Sequence, residues 1–295
     1  MNNEEGEKQF LSTLNRYKKD FESNYLKILK RTSLAEADVG LQKALIYPLK
    51  AGGKRLRPAI VFESADLIRL DTGKAQIIAT AVELLHTYSL VHDDLPAMDN
   101  DDLRRGKPTT HKVFGEDTAI LVGDGLQSLS FELLAQANLS AEGILFFARC
   151  IGPGGLVNGQ FVDMQNHKVK SVSSLEKLHI NKTGKLFAAS VLLPFLFRKS
   201  LKELEPVVQW SLKLGLLFQI IDDIIDATKS TSELGKTSGK DQKLDKKTFL
   251  TFLGMEKAGK VAQKLSKELS FTAAQLFNNS EFYEYIPVHF YNRLI

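Results

Sequence analysis

Apolar residues recur along this chain mostly at helical intervals. Over residues 1–34, Phe10, Leu14, Tyr17, Phe21, Leu26 and Leu29 fall on one stripe between charged positions, which predicts one or two amphipathic surface helices. A second helical stretch covers 41–49, and Pro48 should bend or end it. Gly52-Gly53 reads as a helix stop, and Pro58 suits the first turn of the next helix. Residues 59–69 and 75–92 read as helices; the second is apolar on nearly every face, which marks a helix buried among others. Residues 107–111 read as a loop. Helical patterns return over 116–137 and 141–151, break at Gly152-Pro153-Gly154-Gly155, and resume over 157–164, 174–197, 203–226 and 255–279. A polar run over 227–247 reads as a loop, and the chain closes in a tail. Alternating strand-like runs with turn signals are missing from the pattern, as are internal repeats and linkers. The expected fold is all-α, one domain over 1–295 with at least eight helices, two of them central.

Composition narrows the class. Of the 295 residues 43% are hydrophobic, enough for a large core, and a net charge of +4 is too small to imply nucleic acid. The one cysteine, Cys150, excludes an internal disulfide framework and suits a reducing compartment, so a cytoplasmic location is expected. The first ten residues are acidic and polar, unlike a signal peptide. The longest apolar stretches are interrupted by Glu83, His86, Lys213 and Gln219, so no membrane span is expected.

Two acidic clusters change the picture. Five aspartates fall between residues 93 and 102, directly after the apolar helix that ends near His92. Neighbouring carboxylates about 4 Å apart repel by roughly 4 kcal/mol at an effective dielectric near 20. The apolar lead-in argues against simple solvation and for bound cations. Pro96 should stop the helix and let Asp99 turn back toward Asp93. An EF-hand is excluded, because Arg104 stands where the calcium loop needs glycine. The second cluster, Asp222-Asp223-Ile-Ile-Asp226, closes another apolar helix, with Asp222 and Asp226 one turn apart on one face. Aspartates there oppose the helix dipole, which argues against a merely solvated end. Mg2+ takes one or two carboxylates and completes its shell with water and phosphate oxygens. Two such clusters facing each other across a cavity would be completed by a diphosphate.

The cations fit that arrangement. Lys54, Arg57, Arg104, Arg105, Lys182 and Lys236 each stand at a predicted helix end or beside glycine. Singly they are surface charges; as a set around two aspartate clusters they match phosphate binding. His86 lies two turns before Asp93 on the same face and is a further candidate for contacting a diphosphate. Gln219, about one turn before Asp222, offers an amide that could stabilise developing positive charge without reacting. His92 and Cys150 read as structural. Three apparent pieces of a nucleotide-binding loop, at Gly53-Lys54, Gly184-Lys185 and Gly235-Lys236-Thr237, lack either the following Ser/Thr or the leading glycine.

These strings resemble the trans-isoprenyl diphosphate synthases, in particular the bacterial type of farnesyl diphosphate synthase (geranyltranstransferase). The matching segments are Gly52 to Pro58, His86 to Gly106, Gly159-Gln160 with Asp163, Lys182-Thr183-Gly184, Phe218 to Asp226, and Leu234-Gly235-Lys236 with Asp241, over about residues 45–250. The resemblance implies an isoprenoid synthase bundle around a deep central cavity, usually homodimeric. It implies that isopentenyl diphosphate condenses there with dimethylallyl or geranyl diphosphate, assisted by three Mg2+ ions. It assigns Asp93, Asp99 and Asp222 to the metals, supported by Asp94, Asp223 and Asp226. Arg104, Lys182 and Lys236 would contact the allylic diphosphate, and Lys54, Arg57, His86 and Arg105 isopentenyl diphosphate. Thr183 and Gln219 would flank the carbocation, and Lys246 would reach a diphosphate.

The same resemblance makes Tyr88 and Ser89, five and four positions before the first aspartate, the floor of the chain-growth pocket. The aromatic at 88 and the longer first motif then imply the fifteen-carbon product, with a geranylgeranyl diphosphate synthase as the alternative. A terpene cyclase is disfavoured by the intact Gly53-Lys54-Arg57 set and second aspartate motif, and a non-catalytic synthase subunit by the presence of both motifs. The segment Pro287 to Ile295 lacks the basic-ended terminus common in the family, which leaves a role for it in closing the site unsupported. The stretch between Leu134 and Gly152 is short for the family, which would alter a dimer surface.

Overall fold

The computed structural model describes residues 3–228 and 247–294, and among these the chain is almost entirely helical. Helix α1 (Asn3–Leu29) buries Phe10, Tyr17, Phe21, Tyr25 and Leu29, the expected stripe, and leaves its charged positions in solvent. A 3-10 turn (Ser33–Glu36) leads to α2 (Val39–Leu49), which Pro48 ends within one residue. Helices α3 (Leu56–Leu67) and α4 (Thr72–Asp93) follow; α4 has buried residues on all its faces, as its apolar pattern requires. It packs against α3, against α6 (Glu116–Gln136) and against α10 (Lys185–Phe195). Every residue of α10 from Leu186 to Phe195 is buried, so the most enclosed helix carries neither aspartate cluster.

Four features differ from the sequence pattern. Residues 103–108 form a two-stranded hairpin, β1 (Leu103–Arg104) and β2 (Lys107–Pro108), followed by the short helix α5 (Thr110–Phe114). Its two loop residues, Arg105 and Gly106, both have positive φ, the geometry that matches the twist of a two-residue hairpin. The stretch expected as one helix over 174–197 is two, α9 (Val172–His179) and α10, joined by a π-helical turn at Ile180–Gly184. After α7 (Ala141–Ile151), α8 (Leu156–Met164) and α11 (Glu205–Thr228), the described chain resumes in α12 (Phe249–Leu253) and α13 (Met255–Leu276). The expected tail is instead helix α14 (Glu281–Asn292), which continues through Pro287 because Phe282, Tyr283, Ile286 and Phe290 are buried on one side of it. Lys236, Asp241 and Lys246 lie outside the described residues. No described helix is long and apolar enough to cross a membrane.

One buried ion cluster fixes the segment leading into the site. Arg55, in the left-handed region at φ 49°, donates to Glu83 of α4 at 2.6 Å, to Glu22 of α1 at 2.7 Å and to the Leu49 carbonyl at 2.6 Å. Its side chain is 1% exposed and that of Glu83 2%. Removing one partner of such a pair leaves a buried charge uncompensated. Glu83→Ala should therefore lower stability by about 3–5 kcal/mol in urea denaturation, with Glu83→Gln clearly milder.

Candidate active site

The end of α4 and the loop after it form the first half of the site. The expected return of the chain is made by the backbone: Asp99 N–H donates to the Asp93 carbonyl at 2.8 Å, and Asp101 N–H to the Asp94 carbonyl at 3.2 Å. Burial, with Asp99 and Asp94 nearby, pushes the Asp93 carboxyl up to about 6 against the opposing pull of Lys182. Asp94 is pushed up to about 6 chiefly by its burial. The side chain of Arg104 forks onto Asp94 through Nε at 3.0 Å and through Nη2, and reaches Asp101 at 3.3 Å. In this structure Asp94 and Arg104 thus hold each other. Ser89, one turn before Asp93, turns its hydroxyl back to the His86 carbonyl at 2.9 Å.

The hairpin sends its two arginines in different directions. Arg105 reaches across to the Gly52 carbonyl and lies over Gly53. Both glycines have positive φ, and a Cβ on Gly53 would meet the guanidinium at 2.7 Å. This is the physical reason for the glycine pair before Lys54. Arg57 lies over the Phe187 ring at 4.9 Å, with Nε buried and unpartnered. Burial, followed by the neighbouring Arg105, lowers Arg57 to about 10 despite the pull of Glu83. Arg105 is lowered as well, by burial first and then by Arg55 and Arg104. His86 is held well below its ordinary value by burial and by Arg57, Arg105, Arg104 and Arg55, so its imidazole is neutral. The result is a pocket of positive potential two turns up α4 from the aspartates.

The second half comes from the π turn and α11. Lys182 donates to Asp163 of α8 at 2.6 Å and is also drawn by Asp93 and Asp99. The close approach of α8 to this turn needs Gly159, where a Cβ would overlap the Lys182 backbone, and α11 crosses it where Gly215 meets Gly184. Thr183 donates to Gln219 Oε1 at 3.3 Å, and Gln219 donates to Asp223 at 3.0 Å. Asp223 is buried and also accepts from the Phe249 N–H at 3.0 Å. Its two oxygens tie α11 to α12 and to Gln219, so in this structure it is a tether rather than an open ligand. Asp222 and Asp226, the pair expected on one face, are both part-exposed.

One residue was missed by sequence reasoning. Arg293, just beyond α14, donates to Asp222 at 3.2 Å and lies over the Phe218 ring at 5.3 Å. Burial, followed by Arg293 and Lys54, lowers His289 to about 4, so exposed Lys54 lies near the end of α14. Phe187, Phe218 and Phe290 meet with ring centroids 5.2–6.1 Å apart, forming an apolar wall with Arg57 at one end and Arg293 at the other. The signal was the helical spacing of Phe282, Ile286 and Phe290 ahead of a basic residue.

The donors fit Mg2+ in an open site. Among the described residues no three Asp, Glu, His or Cys side chains converge to form a metal site of their own. The acidic groups are hard oxygen donors, and two of them have pKa values raised by burial that their cationic neighbours only partly offset. That suits an ion that takes one or two carboxylates and fills its shell with water and phosphate oxygens.

Residues 38–284 match the polyprenyl synthetase family. The chain is 45% identical over 241 residues to a heterodimeric geranylgeranyl pyrophosphate synthase large subunit of Arabidopsis thaliana, covering 77% of this chain and 65% of that one. It is 44% identical over 251 residues to a geranylgeranyl pyrophosphate synthase of Catharanthus roseus, covering 82% and 70%. The chain thus spans about two thirds of the length of these relatives. A crystal structure of a geranyltransferase from Helicobacter pylori, complexed with magnesium and isoprenyl diphosphate, superposes with a TM-score of 0.78 at 32% identity, covering 96% of this chain and 97% of that one. An FPP/GFPP synthase from Zymomonas mobilis gives 0.80 at 31% identity, covering 97% and 99%. Both plant relatives are named as chloroplastic, which overturns the expectation of a cytoplasmic protein. A single buried thiol suits any reducing compartment and so does not locate the chain. With most of its length matched by the family pattern and its helices superposing on solved members, the chain belongs to the polyprenyl synthetase family.

Proposed function

We propose that the chain is a prenyltransferase that joins isopentenyl diphosphate to an allylic diphosphate. The observation that carries this reading is the pair of opposed charge sites on α4: the arginine-ringed neutral His86, and the carboxylates around Asp93 beside Lys182. The first suits a diphosphate bound directly. The second suits one bound through cations.

In this reading Asp93 and Asp99 hold Mg2+ from one side and Asp222 with Asp226 from the other, with Asp94 supporting the first set through Arg104. When bound, Mg2+ supplies Lewis-acid stabilisation of the leaving diphosphate. Lys182 fixes the allylic diphosphate, with Arg104 beside it. Arg57, Arg105, His86 and Lys54 orient isopentenyl diphosphate through its own diphosphate. The allylic C1–O bond breaks, C1 bonds to C4 of isopentenyl diphosphate, and a proton leaves C2 for the departed diphosphate. The oxygens of Thr183 and Gln219 stabilise the transient cation, and the Phe187–Phe218–Phe290 wall excludes water.

For product length, the plant relatives favour twenty carbons, the alternative reading of the sequence. Buried Tyr88 favours fifteen. We propose the twenty-carbon product first and the fifteen-carbon product second. Assembly with a second copy fits the family's usual homodimer, while one relative is named as the large subunit of a heterodimer.

Protein incubated with Mg2+, isopentenyl diphosphate and separate five-, ten- and fifteen-carbon acceptors should elongate all three, ending at twenty carbons by chromatography of the dephosphorylated products. Refusal of the fifteen-carbon acceptor would select the shorter product, and no elongation of any acceptor would refute the reading. In the same assay Tyr88→Ala should lengthen the product; an unchanged product would remove Tyr88 from the pocket floor.

The raised pKa of Asp93 gives a metal-free test. Folded Asp93 keeps its proton up to about pH 6, whereas the unfolded group ionises near the ordinary carboxylate value of 3.8. Its contribution is therefore most favourable below 3.8 and is lost as pH rises through about 6. Asp93→Asn should raise the stability of the metal-free protein by about 1–3 kcal/mol at pH 7.5, with the gap closing near pH 4, measured by urea denaturation in EDTA. The same variant should lose nearly all turnover; full turnover would contradict the metal assignment.

A further inference from the structure

His92 has a geometry that its expected structural role does not explain. It stands one turn after Tyr88 on α4, and the two rings meet edge to face with centroids 5.2 Å apart at 72°. Its Nε2–H donates to the Ile120 carbonyl of α6 at 3.0 Å. Gly123, on the next turn of α6, leaves the space into which the imidazole fits; a Cβ there would come within 1.9 Å of its Nε2. The imidazole is thus held by an aromatic face, a carbonyl and a missing side chain. None of these would be needed merely to pack α4 on α6, where Ala119, Val122, Leu126 and Leu129 already supply buried apolar contact.

Tyr88 is the element this clamp supports. Its ring is 8% exposed and its phenol is raised by burial, then by Asp93 and Asp124, which places it between the acidic end of α4 and the α6 surface. A ring backed by a fixed imidazole cannot swing toward α6, whereas a ring without that backing can, and space opens behind it.

We propose that His92, seated against Gly123, is a specificity-determining positioning residue: by holding the Tyr88 ring in place it sets the length at which the growing prenyl chain stops. This rests on the prenyltransferase reading above and on Tyr88 as part of the pocket wall.

The test compares product length at equal conversion for the wild type and for Tyr88→Ala, His92→Ala, Gly123→Ala and His92→Gln, using Mg2+, isopentenyl diphosphate and the ten- and fifteen-carbon acceptors. Thermal melts identify any variant that fails to fold. His92→Ala and Gly123→Ala should raise the ratio of longer to shorter product by about tenfold, the effect of about one methylene of pocket volume. His92→Gln, whose amide can still donate to Ile120, should return the ratio toward the wild type. A ratio within about twofold of wild type in folded His92→Ala, while Tyr88→Ala shifts it, would overturn the proposal and leave the enzyme reading intact. An unshifted Tyr88→Ala would also overturn it, because there would be no wall to position. If His92→Ala and Gly123→Ala do not fold, His92→Val, which removes both the ring and the donor to Ile120, decides: a ratio within about twofold of wild type overturns the proposal. No elongation by the wild type would instead refute the prenyltransferase reading.

Discussion

Like charges held close together inside an apolar bundle are the constraint on which this structure turns. Asp93 and Asp94 end a helix whose preceding turns are buried, and both carboxyls are pushed up to about 6 for that reason. Each neighbour that could relieve them is placed by a backbone device rather than by chance. Arg104 arrives from a two-residue hairpin whose loop needs positive φ twice. Lys182 arrives from a π turn that two close glycine approaches make possible. The relief is partial, because Lys182 is shared with Asp163 and Arg104 with Asp101. A site left with residual negative charge is one that gains by binding cations.

The same logic with the sign reversed applies two turns up α4. Arg55 is neutralised by Glu22 and Glu83 and becomes part of the fold, while Arg57 and Arg105 have no ion pair of their own among the described residues and are lowered by burial, Arg57 further by Arg105 and Arg105 further by Arg55 and Arg104. Three arginines within one segment and hairpin therefore divide into one structural and two anion-seeking groups. The division depends on which carboxylate each can reach.

Much of this was legible in the chain, and the exceptions share a cause. The stripe of α1 and the all-round apolarity of α4 are periodic signals carried by many residues, so they read correctly. The π turn is one extra residue in a helical pitch, too local to disturb a periodic pattern. Helix α14 was hidden by Pro287, whose lost hydrogen bond is outweighed by the burial of four neighbouring side chains, including three aromatic rings. Asp222 and Asp223 are indistinguishable as letters. Their rotation of about 100° around α11 sends one toward Arg293 and the other to Gln219 and the Phe249 N–H. The spacing of acidic residues announced a site, but the division of labour within it was set by partners distant in sequence.

Helix α4 also acts as a ruler. His86 and Asp93 are seven residues apart, about 10 Å along the axis, and the packing of α3, α6 and α10 against the helix keeps that spacing fixed. Two diphosphates anchored at these levels would lie at a defined separation with no further adjustment by the protein, which is how rigid positioning lowers a bimolecular barrier. Anchoring of this kind acts on the charged ends and says nothing about the length of the tail. Tail length must be decided by apolar volume, where one ring's position matters and the aspartates carry no information. In the proposed arrangement, packing against α6 would change product length while the charged site on α4 stays the same.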